Sequence, residues 1–469
     1  MSDRGRAQTS FEVQAASGTE VLAVQEAGSP NGNIGSPNLP IRSSFVWMLG
    51  GNIVYAICQW GMVVALAKLG SSLMLGQFSL GLAIATPVLM LSNLNLRSVQ
   101  ATDATRSYLF REYRQLRCIT TAGALLAVTG LVWVGGYSHS TAIVILGVAS
   151  AKGIDTLSDI YYGLFQQHDR LDRTATSMVL RGVLAVTALS VSLYATRNVF
   201  GASLSVSSVW LLALWLYDAR QARRILGVSQ KRAAVFAGGT PRSRQWHLLR
   251  LAFPLGVVTA LASVNLNIPR YFIYAQKGGQ QLGVFSAMAY ATVAITLISD
   301  SLGHASIPKL SRLYAERRLG EFRSLLVRLL VACTVLGVTA LAAAQIAGGR
   351  LLTIIYSREY ASHSNVFTVL ILATVLNGIA SMLTCGITSA RCFGIQVPLF
   401  AMAAASSVLG CILWVPAHGL TGGAAAMVCG AAVRLVLSVL VAYYLLAAGR
   451  KSLEAAKHGC GYSDWRPAA

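Results

Sequence analysis

Five basic side chains, Lys152, Arg181, Arg270, Arg328 and Arg434, and three acids, Asp155, Asp159 and Asp300, lie inside apolar runs of this 469-residue sequence. Each would cost about 2.5–3.5 kcal/mol at the centre of a membrane helix, so each must be paired, solvated or close enough to an end to reach water. Lys152, Asp155, Asp159, Tyr162 and Gln166 follow in steps of three and four, which stacks them on one helical face. Ser263, Asn267, Arg270 and Tyr274 do the same, and Pro269 frees a backbone carbonyl one turn earlier. Asn52, Tyr55 and Gln59 form a third stripe, to which Asn377 adds a further amide. Arg434 stands near the middle of its run with no acid within a helical turn, which makes it the first candidate for ligand contact. Arg328, about one turn from an end, reaches water along its own stem.

Five cations against three acids favour an anionic guest, and the planar guanidinium fork suits phosphate. The substrate-binding candidates are therefore Arg434, Arg270, Lys152, Arg181, Asn267, Asn52 and Gln59, with Asp155, Asp159 and Asp300 as candidates for ion coupling. A competing account pairs Lys152 with Asp155 and Asp159 with Arg181 as internal neutralisation, and lets Arg270 reach outward to water. No catalytic, metal or cofactor site is expected. The eight cysteines form no CxxC and have no nearby pair of His ligands, and there is no GxxxxGK[ST] loop for ATP. An enzyme would need a platform outside the membrane, yet the largest external gap, about 346–363, holds a single acid, Glu359.

The elements that must position these groups are membrane spans. The chain is 55% hydrophobic and 12% charged, with a mean hydropathy of +0.58. Apolar runs predict about twelve helices, near 44–67, 74–96, 117–136, 140–164, 177–195, 200–217, 248–274, 282–303, 323–345, 364–387, 396–415 and 421–447. Roughly 28 Lys and Arg fall in alternate gaps and the tails, against five on the other side: Lys68, Arg197, Lys277, Arg350 and Arg358. That bias places both termini in the cytoplasm. The net charge of +21 is thus an orientation signal, and nucleic acid is not an expected partner.

The division expected is a disordered cytoplasmic tail over 1–42, an amino-terminal lobe over 43–217, a cytoplasmic linker loop over 218–247, a carboxyl-terminal lobe over 248–447 and a cytoplasmic tail over 448–469. The two halves echo each other. Leu75-Gly76-Gln77-Phe78-Ser79 opens the second span and Leu282-Gly283-Val284-Phe285-Ser286 opens the eighth. Because six spans is an even number, the repeat is parallel, about an axis along the membrane normal. The expected fold is all-α and polytopic, two six-helix lobes in a parallel pseudo-two-fold repeat around a central cavity.

Several segments resemble the Wzx-type polysaccharide flippases of the multidrug/oligosaccharidyl-lipid/polysaccharide (MOP) exporter superfamily. They are Ser158-Asp-Ile-Tyr-Tyr-Gly-Leu-Phe-Gln166 through Asp172 and Arg173 to Arg181, Pro254-Leu-Gly256, Asn267-Ile-Pro-Arg-Tyr271, Leu282-Gly-Val-Phe285, and Pro308-Lys-Leu-Ser-Arg-Leu-Tyr314. The likeness runs from about Ser43 to Leu445. It implies a non-enzymatic transporter of the bacterial inner membrane, moving undecaprenyl-pyrophosphate-linked oligosaccharide for O-antigen, capsule or exopolysaccharide synthesis by alternating access. Partners implied are the anionic lipid-linked glycan, membrane lipids and polysaccharide polymerase or assembly proteins. A drug/cation antiporter of the same superfamily, or a membrane polysaccharide polymerase or assembly component, remains the alternative. The first and seventh spans carry no Asp or Glu, a departure from many multidrug members that favours the glycolipid branch.

Overall fold

The structure, a computed structural model, describes residues 41–103, 108–233, 241–390 and 395–457, all within one unit, Pro40–Ala469. The tail expected over 1–42 lies almost wholly outside the described residues. Helices α1 (Ile41–Leu69), α2 (Ser72–Asn93), α3 (Leu96–Thr102), α4 (Phe110–Val134), α5 (His139–Gln167), α6 (Leu171–Thr196) and α7 (Val199–Ala213) come first. A π-helical turn, Leu214–Asp218, leads into α8 (Ala219–Ala233). Then follow α9 (Pro241–Ala291), α10 (Val293–Ala315), α11 (Leu319–Ile355), α12 (Arg358–Ala361), α13 (Ser364–Ser389) and α14 (Gln396–Lys457). No strand occurs among the described residues.

Among the described residues, ten helices are long and apolar enough to cross a membrane. Their outward faces are apolar too: Trp133 and Ile346 are each 86% exposed, which only a lipid surround makes tolerable. The chain is a multi-pass membrane protein. Two of the ten helices are double. Backbone leaves the helix at Gly278 (φ 82°) in α9 and Gly419 (φ 55°) in α14, left-handed values that glycine adopts without steric cost. Arg270, before the first break, lies over the ring of Tyr290 after it, so α9 doubles back at Gly278. Gly410 similarly faces Ala426 across the break in α14. Counting limbs separately gives twelve spans, the number expected.

Three boundaries differ from the sequence reading. The eighth span, expected over 282–303, breaks at Thr292, whose hydroxyl donates to the Ala289 carbonyl at 2.8 Å, and continues as α10 to Ala315. The segment expected as a linker loop over 218–247 is helical from Ala219 to Ala233, and α9 begins at Pro241, a proline at its favoured first-turn position. Ala, Arg and Gln are strong helix formers, and Ala222 is buried with Ile225 and Leu226 packed beside it in an apolar cluster with Phe110 and Leu164. The carboxyl-terminal tail expected from 448 is helical to Lys457.

Helices α1 and α4–α7 pack mainly on one another and on α2, and α10–α14 mainly on one another and on α9, while α2 and α9 pack most heavily on each other and form the main joint between the two sets. The joint has a reciprocal geometry. A Cβ added to Gly76 would collide with the Gly279 carbonyl and the Gly283 amide, and one added to Gly283 would collide with the Ser72 carbonyl and the Gly76 amide. The two Leu-Gly-x-Phe-Ser segments thus cross backbone on backbone.

This crossing lies at the end of the molecule opposite Arg97, Arg111, Arg170 and Arg173, whose side is the basic face. More ties surround it. Lys68 Nζ of α1 donates to the Ile354 carbonyl of α11 at 2.9 Å, Trp60 Nε1 donates to the Tyr356 hydroxyl at 3.1 Å, and that hydroxyl donates to the Ala287 carbonyl at 2.8 Å. At the basic face the start of α9 holds the first set through Arg244 and Glu112 at 3.1 Å and Tyr108 and His247 at 2.6 Å.

Candidate functional site

A cavity of about 560 Å³ separates the two sets of helices. Gln59 of α1, Phe78 and Thr86 of α2, Lys152 of α5 and Trp210 of α7 line one wall. Asn267 and Arg270 of α9, Asp300 of α10, Asn377 of α13 and Arg434 of α14 line the other. The sequence stripes therefore converge in part, through those polar residues that sit on the inward side of their helices.

Arg434 is held without a carboxylate. Its Nη1 donates to Asn377 Oδ1 at 3.3 Å and its Nη2 to Thr384 Oγ1 at 3.4 Å, while the guanidinium lies 4.6 Å from the centroid of Phe400. Arg270 has the same kind of seat: Nη1 donates to Asn267 Oδ1 at 3.0 Å and the guanidinium lies 5.2 Å from the Tyr290 ring centroid. Asn267 is buried and donates its amide to the Ser263 carbonyl at 2.8 Å, which fixes the oxygen toward Arg270. Neither arginine forms an ion pair among the described residues. Asp300 is the acid in this cavity wall and lies within electrostatic reach of Arg434. Aromatic faces and amide oxygens stabilise a guanidinium without cancelling its charge.

A second cavity of about 180 Å³ adjoins the first through the shared lining of Thr86 and Lys152 and reaches toward the basic face. Its charges are compensated. Asp155 accepts from Lys152 Nζ at 2.7 Å and from the Tyr55 hydroxyl at 3.2 Å, and it pairs with Arg181 Nη1 at 3.3 Å. Asp159 pairs with Arg97 at 3.4 Å and with Arg117 at 3.5 Å.

Of the two ion pairs that internal neutralisation would make, Lys152 with Asp155 forms and Asp159 with Arg181 does not. Arg181 instead meets Asp155, one helical turn earlier on α5, and its guanidinium is fully buried between Tyr162 and the Trp210 ring at 5.0 Å. Arg181 lines neither cavity. Asn52 is exposed on α1 and lines neither cavity either. Its neighbour Gly51 is pressed against Ala175 of α6, so Asn52 is turned off that contact. Tyr55 and Gln59, from the same stripe, do reach the cavities.

Arg97 and Arg117 are functional-looking residues that the sequence reading left among the loop cations. Arg117 is fully buried and donates Nη1 to the Asn93 carbonyl at 2.7 Å. The signal available was Asp159 itself, an acid that needs a cation at the same depth. Asp218, read as the first residue of a loop, is buried in the π-helical turn and accepts from Ser177 Oγ at 2.6 Å. Arg391, counted as a basic-side cation, lies outside the described residues.

No family model matches the chain. The capsular polysaccharide biosynthesis protein CapF of Staphylococcus aureus is 24% identical over 338 residues, covering 72% of this chain and 83% of that protein. Among solved structures, the lipid II flippase MurJ in an inward closed conformation superimposes with a TM-score of 0.66 at 10% identity, over 89% of this chain and 94% of that one. An inward-facing MATE family multidrug transporter of the MOP superfamily superimposes with a TM-score of 0.62 at 14% identity, over 88% and 96%. The fold is therefore the one these membrane transporters share.

Proposed function

We propose that the protein is a flippase of the MOP superfamily that moves an undecaprenyl-pyrophosphate-linked oligosaccharide across the bacterial inner membrane for polysaccharide synthesis. The observation that carries this reading is the wall formed by Arg270 and Arg434, two membrane-embedded guanidiniums seated on amides and aromatic rings with no ion pair of their own among the described residues. A cavity wall in which two guanidiniums face one carboxylate, Asp300, keeps an excess of positive charge and is suited to an anion that brings the compensation with it. The forked guanidinium geometry suits phosphate oxygens, and the likeness to a capsule biosynthesis protein supports a glycan on the anion.

The mechanism that follows is exchange of partners without any covalent step. The phosphates enter between the two helix sets and take the guanidinium faces of Arg270 and Arg434, while the prenyl chain stays in lipid. With the basic face toward the cytoplasm, the crossing of Gly76 and Gly283 closes the outer end, and rocking of the lobes about the cavity exposes the head outside. An inside-negative potential assists outward movement of the anionic head by about 2.3 kcal/mol per charge per 100 mV. The ion pairs of Asp155 and Asp159 give the amino-terminal wall a fixed shape against which the other wall moves.

The test is complementation of a flippase-null strain with Arg270→Gln and Arg434→Gln. Both variants should insert normally yet accumulate lipid-linked glycan on the cytoplasmic leaflet. Full complementation by the double variant refutes the site, and dye efflux from wild-type cells without any glycolipid phenotype indicates a drug/cation antiporter instead.

A further inference from the structure

Arg270 and Arg434 sit on one cavity wall at different depths, and helix contacts fix the difference. A Cβ added to Gly423 of α14 would meet the Ile273 side chain of α9, so those two residues share a level. From there toward the basic face, Arg270 is three residues along α9 and Arg434 eleven residues along α14. At a rise of about 1.5 Å per residue, the backbone of Arg434 lies about 12 Å nearer the basic face. A second tie agrees. Lys277 Nζ donates to the Pro416 carbonyl at 3.0 Å and a Cβ on Gly419 would face Lys277 Cε, which puts the two chain reversals at one height. Counted from Lys277 and Gly419, Arg434 is again eight residues deeper than Arg270.

The guanidiniums keep most of that offset. Arg270 reaches back to Asn267, one turn toward the basic face, while Arg434 lies over Phe400 in the first limb of α14. Gly410 faces Ala426 across the break, and Phe400 is ten residues beyond Gly410 as Arg434 is eight beyond Ala426, so ring and guanidinium are level to within a turn. About 8–10 Å of path therefore separates the two seats. A phosphate oxygen and its donor stand about 3 Å apart, so at this spacing one phosphate group meets one guanidinium at a time. The seats are also alike, each an asparagine oxygen and an aromatic face. An ion crossing a membrane must be held well enough to enter and loosely enough to leave, which like sites in sequence provide. We propose that Arg434 and Arg270 are successive, alternative seats for the diphosphate, Arg434 reached first from the basic face and Arg270 second. This rests on the flippase reading and adds the order of contact to it.

The probe is undecaprenyl pyrophosphate, titrated into the full chain in nanodiscs, with movement of the same lipid followed in proteoliposomes by its exposure to an added phosphatase. Alternative seats add as binding constants, so losing one of two like seats should lower affinity only about twofold. Arg270→Gln and Arg434→Gln should each bind within that margin. Each should nevertheless slow movement by about tenfold or more, because one step of the passage has lost its charge-assisted hydrogen bonds. The double glutamine variant should lose about tenfold or more in affinity for the same reason. Arg270→Lys with Arg434→Gln keeps one charge and should recover most of that binding, which separates loss of charge from loss of fold. A loss of about tenfold in affinity for each single variant overturns the succession, because groups that hold one ligand together add as free energies. The flippase reading then stands, with the diphosphate clamped between both arginines. Wild-type movement in either single variant likewise overturns the succession. Equal affinity of wild type and the double glutamine variant overturns the site itself, and the flippase reading with it.

Discussion

Arg181 and Arg434 are both arginines inside the membrane, yet the structure gives them opposite energetic roles, and replacing each in turn separates them. Arg181 is fully buried, paired with Asp155 at 3.3 Å, donates to the Tyr162 hydroxyl at 3.4 Å and lies over Trp210. Arg181→Met keeps the volume and removes the charge. Asp155 would keep Lys152 and Tyr55 but lose its buried partner, and breaking a buried pair from one side costs about 3–5 kcal/mol. The contact with Trp210 is included in that range, since couplings within one network do not add. Adding Asp155→Asn should recover about 0.5–3 kcal/mol, the interaction energy of neighbours that share a network. Arg434→Gln removes a cation that forms no ion pair among the described residues and meets Asp300 only beyond contact distance, so most of the cost of burying it disappears with it, and stability should change by less than about 1 kcal/mol. Thermal unfolding of the purified full chain in one detergent, read by tryptophan fluorescence, measures all three variants. The reasoning fails if Arg181→Met unfolds at the wild-type temperature, or if Arg434→Gln is the more damaging of the two.

Gly283→Val should weaken the joint of α2 and α9 by about 1–3 kcal/mol, because its Cβ meets backbone that cannot rotate away, and cysteine accessibility beside Gly76 should rise. Tyr356→Phe removes the hydroxyl that links Trp60 to the Ala287 carbonyl; transport should survive, with labelling of the end opposite the basic face increased. Ser71→Ala removes the side chain that accepts from the Met74 amide and should lower stability by about 1 kcal/mol in the same melting assay. Glu316 accepts from Arg312 at 2.8 Å and from Arg318 at 3.0 Å, and these hydrogen bonds hold its carboxyl below the usual range. A depressed value means that any stabilisation is present above the usual carboxylate range and is lost as pH falls through the lowered one. All three side chains are exposed, so Glu316→Gln should leave the melting temperature unchanged at neutral pH.

Charges were the most legible part of the sequence. A cation in an apolar run must be explained, and the structure places Arg270 and Arg434 on the wall of a cavity. Partner choice was less legible. Whether Arg181 meets Asp155 or Asp159 depends on the relative height of α5 and α6, a shift of one helical turn that spacing within a single helix does not encode. Arg117 was hidden for another reason: it lies at the boundary where a loop cation and a buried one have the same sequence surroundings. The helical stretch Ala219–Ala233 looked like a loop because its hydropathy is low, whereas its apolar residues recur at helical spacing on one narrow side. Hydropathy measures depth in the membrane and says little about backbone conformation at its surface.

Under the proposed rocking of the two helix sets, the crossing of Gly76 with Gly283 serves as a contact that can part without unlocking side chains. Side chains that interlock must be pulled out of one another before two surfaces can turn, and each loses its van der Waals partners on the way. Two backbones in direct contact present smooth cylinders, and glycine on both sides brings the helix axes as close as they can come. Parting there pulls few side chains out of one another, so in that motion the resistance to opening is set by the surrounding links, Lys68 to Ile354 and Trp60 to Tyr356. The reciprocity of the contact adds a second property. As in a two-fold dimer interface, each segment is both surface and counter-surface, so a change in the motif of one half alters the fit of the other.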